Sequence, residues 1–252
     1  MSQIAANIQT VQERMQAAAA RAGRRVDEIT LVAVTKTHPL DTVIAAYQAG
    51  LRHFGENRAA EGVEKVSGMA AWLAATFVDK PVDPPVWHLI GHLQSRQVGQ
   101  ALGQFKLIQS VDSLKLAQRI NRLAGRDRFP PVEILLECNV SGEASKFGFG
   151  LVGWSTDQSL LKSFLQEVRE IAALDKIVLR GLMTMAPLVA EPEEARPVFK
   201  SLAALRQTLR TEIPQVDWRH LSMGMTDDFE VAIEEGATFI RVGRVLFGER
   251  VG

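Results

Sequence analysis

A lysine amine becomes a nucleophile toward an aldehyde when part of its hydration is removed and its stem is held on a rigid element. Lys36 is placed for this. It closes the apolar, β-branched run Leu31-Val32-Ala33-Val34-Thr35, and Pro39 ends the turn that follows. Such a run reads as a buried parallel strand, which puts the amine at the mouth of a core. A solvated strand cap is the alternative reading of the same residues. Two loops far along the chain supply the complementary character. Ser222-Met223-Gly224 offers a hydroxyl and close backbone amides ahead of a helix, which suits a phosphate, and Gly243-Arg244 offers a second close backbone approach. Tight turns account for the same glycines. Arg241 interrupts the apolar residues Phe239, Ile240 and Val242, so it either pairs with a buried carboxylate or faces a site. An amine, a phosphate nest and a buried guanidinium together match pyridoxal 5′-phosphate (PLP): a lysine for its aldehyde, loops for its phosphate, an arginine for its pyridine nitrogen. A phosphosugar aldolase that uses Lys36 for its own Schiff base is the competing chemistry.

Other constellations carry less. His88 and His92 have the number spacing of a zinc pair, but Gly91 and the strand context deny them a helical face, and no third ligand cluster accompanies them. There is no Gly-x-Ser-x-Gly elbow and no Walker-type loop. The single cysteine, Cys138, lies in a largely apolar run and reads as a small buried hydrophobe; no disulfide is possible. With 29 basic and 29 acidic residues the chain has no charge excess to favour nucleic acid or an anionic membrane. No apolar segment approaches the roughly 18 residues needed to span a bilayer, and the N-terminus lacks a signal peptide's pattern. A cytoplasmic protein is expected.

The elements that must position these groups follow from periodicity. Ile4, Ile8, Val11 and Met15 recur at helical spacing, and Gly23 is a plausible stop, so residues 1–23 form an amphipathic helix. Strands are then expected near 31–36, 51–54, 86–90, 107–111, 132–140, 177–183, 220–222 and 239–242. Helices alternate with them near 41–49, 58–66, 94–102, 114–123, 160–173, 193–209 and 227–235, the last capped by Thr226. Residues 68–85, with Pro81, Pro84 and Pro85, read as a loop insertion. Eight strand–helix units in 252 residues predict one closed (β/α)8 TIM-type barrel, with an extra N-terminal helix, rather than an open sheet. In such barrels the site gathers at the C-terminal ends of the strands, where Lys36, Asn57, His88, Ser222 and Arg241–Gly243 fall.

Several successive segments also resemble one family: Val32-Ala33-Val34-Thr35-Lys36-Thr37, Phe54-Gly55-Glu56-Asn57, Trp87-His88-Leu89-Ile90-Gly91-His92, and Asn139-Val140-Ser141-Gly142-Glu143 with Lys146. The most specific is Leu221-Ser222-Met223-Gly224-Met225-Thr226-Asp227-Asp228, continued by Arg241-Val242-Gly243. The chain resembles the pyridoxal phosphate homeostasis proteins, relatives of the N-terminal barrel of alanine racemase, collinearly over nearly its whole length. The resemblance implies PLP on Lys36, its phosphate on Ser222, Gly243 and the Arg244 amide, Arg241 at the pyridine nitrogen, Asn57 beside the ring, and Met223, Gly224 and His88 close by. An arginine partner is always charged and cannot accept a hydrogen bond, so it leaves the ring nitrogen unprotonated and the ring a poorer electron sink. Arg244 stands where the family often has threonine, His38 and Gln97 where lysines are common, and Arg58 where tyrosine is usual.

The resemblance further implies a monomer that buffers or delivers PLP within vitamin B6 and amino-acid homeostasis, with apo PLP-dependent enzymes as partners. Racemisation needs an acid/base group on each face of the substrate carbon. In alanine racemase a tyrosine from another domain supplies the second. The only tyrosine here, Tyr47, falls in the first helix after Lys36, outside the barrel mouth. A carrier without robust catalysis is therefore expected, with a racemase-like PLP enzyme as the alternative.

Overall fold

A computed structural model describes residues 3–78, 80–143 and 147–248. Helix α1 (Gln3–Arg21) buries Ile8, Val11, Met15, Ala18 and Ala19, a stripe at the 3.6-residue period, and Gly23 turns the chain out of it with φ 63°. The chain then alternates β1 (Thr30–Val34), α2 (Leu40–Gln48), β2 (His53–Glu56), α3 (Ala59–Thr76), β3 (Val86–Leu89), α4 (Val98–Ala101), β4 (Leu107–Val111), α5 (Leu114–Arg126) and β5 (Val132–Asn139). After the two-residue strand β6 (Phe149–Gly150) come α6 (Gln158–Ala172), β7 (Ile177–Met183), α7 (Arg196–Glu212), β8 (His220–Ser222), α8 (Phe229–Glu234), β9 (Phe239–Val242) and α9 (Arg244–Phe247).

Eight strands pair in parallel in the order β4-β3-β2-β1-β9-β8-β7-β5, and the β4–β5 pairing closes the ring, giving the expected TIM-type barrel; β6 is a short addition to the edge of β5. Strand alternation divides the core in two. Val32, Leu107, Leu135, Met183 and Phe239 pack together inside the barrel, while Leu31, Ala33, Ile108, Ile134, Leu136 and Ile240 belong to the larger core under the helices. Helix α1 lies against α8 and α9, fixed by Arg14 to Glu230 at 2.8 Å and by Asn7 Nδ2 donating to Leu246 O at 2.9 Å. No helix among the described residues is long and apolar enough to cross a membrane.

Three local expectations need correcting. Helix α3 continues to Thr76, so residues 68–76 are helical rather than part of a loop insertion. Gly68 does not break the helix; a Cβ there would lie 2.6 Å from Leu40 Cδ2, so the glycine lets α3 sit against the start of α2, and Met69 and Leu73 continue its buried face. Helix α4 covers only part of the 94–102 segment. At α8 the N-cap is Asp228, not Thr226; Asp228 Oδ1 accepts from the Met225 amide at 2.6 Å, and Thr226 lies in the loop ahead of the cap.

Candidate functional site

A cavity of about 650 Å³ opens at the C-terminal end of the barrel, and Lys36, Asn57, Glu137, Arg241, Gly243 and Arg244 all line it. Five of the nine residues expected at the site therefore meet in one place. Strand β1 ends at Val34, and Lys36 sits two residues beyond it in a turn whose next residue, Thr37, has φ 66°. The turn is clamped from behind. The buried Lys65 donates to Thr35 O at 2.6 Å, Glu56 Oε1 at 2.9 Å and Glu61 Oε1 at 2.7 Å. Thr35 Oγ1 donates to Glu56 Oε1 at 2.5 Å, and the Thr37 amide donates to Glu61 Oε1 at 2.6 Å. Both residues flanking Lys36 are thus tied to one partly buried ion cluster. Burial raises the Glu56 pKa against the pull of Thr35 and Lys65, and Glu56 Oε2 has no partner among the described residues.

Asn57 follows β2 directly. The neighbouring loop passes so near that a Cβ on Gly91 would lie 2.3 Å from Asn57 O, which explains the glycine and holds Asn57 in place. Arg241 points inward from β9, next to the outward Ile240 and Val242, so the charge in an apolar strand is the inward half of the alternation. It donates from NH1 to Ser222 Oγ at 2.6 Å and from NH2 to Thr184 O at 2.8 Å. Burial lowers its pKa to about 10, against the attraction of Asp228 and Glu137, so it stays a cation at neutral pH. Gly243 packs on β1, where a Cβ would lie 3.1 Å from Val34 O. Arg244 pairs with Asp227 at 2.6 Å across the two loops that follow β8 and β9.

Four expected residues do not line the cavity. Ser222 is buried beneath Arg241, which bonds its hydroxyl from above. Met223 packs into the core under the helices. Gly224, with φ 92°, lies against α8, where a Cβ would be 2.6 Å from Ala232 Cβ, and its carbonyl accepts from the Arg241 amide at 2.9 Å. His88 lies lower in the barrel between His53 and Gln109, and burial drives its pKa down to about 3. Nearness to a strand end in sequence does not give depth in the barrel. Lys146 lies outside the described residues.

The structure brings in groups to which the sequence reading gave another role or none. Thr226 is the hydroxyl residue of the post-β8 loop that reaches the cavity. His92 lines it too, 3.2 Å from Asp112 Oδ2 and stacked on Phe147 at a centroid distance of 3.9 Å. Glu137 is the inward carboxyl of β5; burial and the nearby Asp112 raise its pKa to about 7 against the pull of Arg241, and its Oε2 has no partner among the described residues. A carboxylate in the apolar run of 132–138 was the same signal as Arg241 in β9. No group of three or more His, Cys, Asp and Glu among the described residues is placed to hold a metal ion.

Fold and site together define a parallel (β/α)8 barrel with a cavity at its C-terminal mouth, between a lysine after the first strand and an arginine on the last. Comparison with known proteins narrows the class. The chain belongs to the alanine racemase N-terminal-domain family, which matches residues 1–251, and within it to the pyridoxal phosphate homeostasis proteins. The pyridoxal phosphate homeostasis protein of Vibrio alginolyticus is 36% identical over 250 residues, covering 99% of both chains. That of Escherichia coli K12 is 35% identical over 99% of this chain and 98% of its own. Among solved structures, PipY of Synechococcus elongatus PCC7942 with PLP bound superposes with a TM-score of 0.75 at 33% identity, covering 94% of this chain and 100% of that one. Alanine racemase of Clostridium difficile 630, at 15% identity and a TM-score of 0.67, shares the fold over 57% of its chain.

Proposed function

We propose that this protein binds pyridoxal 5′-phosphate in the mouth cavity, carries it on Lys36, and acts in intracellular PLP and amino-acid homeostasis. We place it in the cytoplasm as a monomer that exchanges the cofactor with apo PLP-dependent enzymes. One observation carries this reading: Lys36, Asn57, Arg241, Gly243 and Arg244 surround a single cavity although they come from opposite ends of the sequence. The relatives named above support it, as does a similar structure solved with PLP bound.

The donor set fits the group. Bound PLP supplies an aldehyde open to attack by an amine, a phosphate and a ring nitrogen. Lys36 offers the amine, on a turn that Lys65, Glu56 and Glu61 hold still. Thr226, Gly243 and Arg244 would take the phosphate, with Ser222, Met223 and Gly224 as the packed layer beneath. Arg241 would face the ring nitrogen. Being a donor at every working pH, it leaves that nitrogen without a proton, which disfavours carbanion chemistry and suits storage and release. Asn57 would lie beside the ring, and His88 acts only from below.

A second reading, a racemase-like PLP enzyme, draws on one observation. His92, oriented by Asp112, is an acid/base group in the cavity wall that needs no second domain. Steady racemisation of one amino acid, abolished in both Lys36→Ala and His92→Ala, would establish it.

The test is the visible absorption spectrum of the purified protein with PLP, before and after borohydride, with the adduct located by mass spectrometry. A yellow band that disappears as a pyridoxyl group becomes fixed on Lys36 is the expected result. A protein that stays colourless and unmodified with added PLP overturns the proposal and returns the aldolase to first place.

A further inference from the structure

From the cavity floor downward the barrel interior holds an unbroken file of five polar side chains, each from a different strand. Arg241 NH1 on β9 donates to Ser222 Oγ on β8 at 2.6 Å, and Ser222 Oγ donates to Gln109 Oε1 on β4 at 2.6 Å. Gln109 Nε2 lies 3.0 Å from His88 Nδ1 on β3, and His88 Nε2 lies 2.9 Å from His53 Nδ1 on β2. Arg241, Ser222, Gln109 and His88 are all buried, and Phe239 packs against the histidines from the side. Apolar residues fill the same layer elsewhere, so the polar file is not needed to fill space. Satisfied along its length, it specifies geometry instead.

The file has a direction, and the arginine sets it. A guanidinium only donates, so Ser222 Oγ must accept from Arg241 and spend its one proton elsewhere. The described residues offer that proton one acceptor, Gln109 Oε1. With its oxygen so engaged, Gln109 presents its NH₂ to His88 Nδ1. His88, uncharged because it is buried, then carries its proton on Nε2 and donates to His53 Nδ1. Reversing any one link would leave two donors facing each other or strand the Ser222 proton.

We propose that Gln109 is a positioning residue of the ligand site: by accepting the hydrogen bond of the Ser222 hydroxyl it turns that oxygen's lone pairs toward Arg241 and holds the guanidinium at the cavity floor. His88 backs it as the Nε2-protonated tautomer. Gln109 lies outside the cavity lining. The part of the proposal that concerns PLP rests on the functional reading above; the direction of the file does not.

The experiment has two arms. In the first, long-range ¹H–¹⁵N spectra of the histidine-labelled protein without PLP report the His88 tautomer. Protonation on Nε2 with an unprotonated Nδ1 is expected, and an Nδ1-protonated His88 overturns the proposal. In the second, PLP affinity is titrated by absorbance for wild type, Gln109→Leu and Gln109→Glu. Leucine removes the acceptor and should weaken binding roughly tenfold or more, the scale of a lost charge-assisted hydrogen bond. Glutamate restores an oxygen for Ser222, its second oxygen drawing the His88 proton to Nδ1, and should return affinity to within about threefold of wild type. Leucine binding as tightly as wild type, or glutamate as weakly as leucine, overturns the positioning role. Should Gln109→Leu fail to fold, the tautomer and the glutamate variant still decide. Wild type that binds no PLP at all refutes the functional reading and leaves the tautomer arm standing.

Discussion

Glu137 is the most sharply testable group in the cavity. The residue is 3% exposed, Asp112 adds a like charge, and Arg241 compensates in part, which raises its pKa to about 7 from the 4.5 of an unperturbed glutamate. A carboxyl whose folded pKa is raised keeps in the folded state a proton that the unfolded chain has already lost. Its contribution is therefore fully present below about pH 4.5 and disappears as pH rises through about 7. The gap between those two values corresponds to about 3 kcal/mol. Glu137→Gln removes the titration and keeps the shape. The variant should match wild type near pH 4.5 and be more stable by about 3 kcal/mol at pH 8, with Asp228 still compensating Arg241. Urea unfolding of the PLP-free proteins across that pH range, with equal m-values, reads the difference directly, because every other titrating group cancels. A variant less stable than wild type at pH 8, or a difference that does not change with pH, would refute the reasoning. Either would mean that Arg241 offsets or outweighs burial and Asp112, and that the folded protein does not raise the Glu137 pKa.

Two other perturbations probe the site's frame and its rim. Lys65→Met strands the Glu56 carboxyl inside the protein and should cost about 3–5 kcal/mol in urea unfolding. Adding Glu56→Gln should recover part of that loss, and a loss below about 1 kcal/mol for Lys65→Met alone would show that the clamp is not a coupled unit. Asp227→Asn releases Arg244 from an exposed ion pair and removes a negative charge from the loops assigned to phosphate. Stability should change by less than about 1 kcal/mol, while PLP should bind about two- to fivefold tighter, more so at low salt. Unchanged affinity in an absorbance titration would remove these loops from the phosphate site.

Local pattern carried much of this architecture. Strands β4, β7, β8 and β9 fall where apolar runs bounded by polar or glycine-containing breaks place them, and the count of strand–helix units foretold closure. Lys36, Asn57 and Arg241 were legible as chemistry because each breaks, or immediately follows, such a run. What escaped depends on partners distant in sequence. Gly68 resembles a helix stop until Leu40 is placed beside it. Ser222 and His88 sit near strand ends, but their depth follows from the stagger between strands, which local periodicity does not carry. His92 becomes an acid/base candidate only once β3 and β4 bring Asp112 against it. Glu137 was the exception, since a charge in an apolar strand needed only the same attention that Arg241 received.

The pairing of β1 with β9 bears on when the site comes into being. Ribosomal synthesis delivers the turn bearing Lys36 205 residues ahead of Arg241, and contacts this distant in sequence form late and slowly. Until β9 docks, the barrel is an open ribbon whose two edges are unsatisfied and whose mouth has no far wall. Helix α1 waits with it, since its buried stripe is covered by α8 and α9. A nascent chain can therefore display the lysine long before it can retain a ligand there. Retention of a ligand at Lys36 would report that the ring has closed.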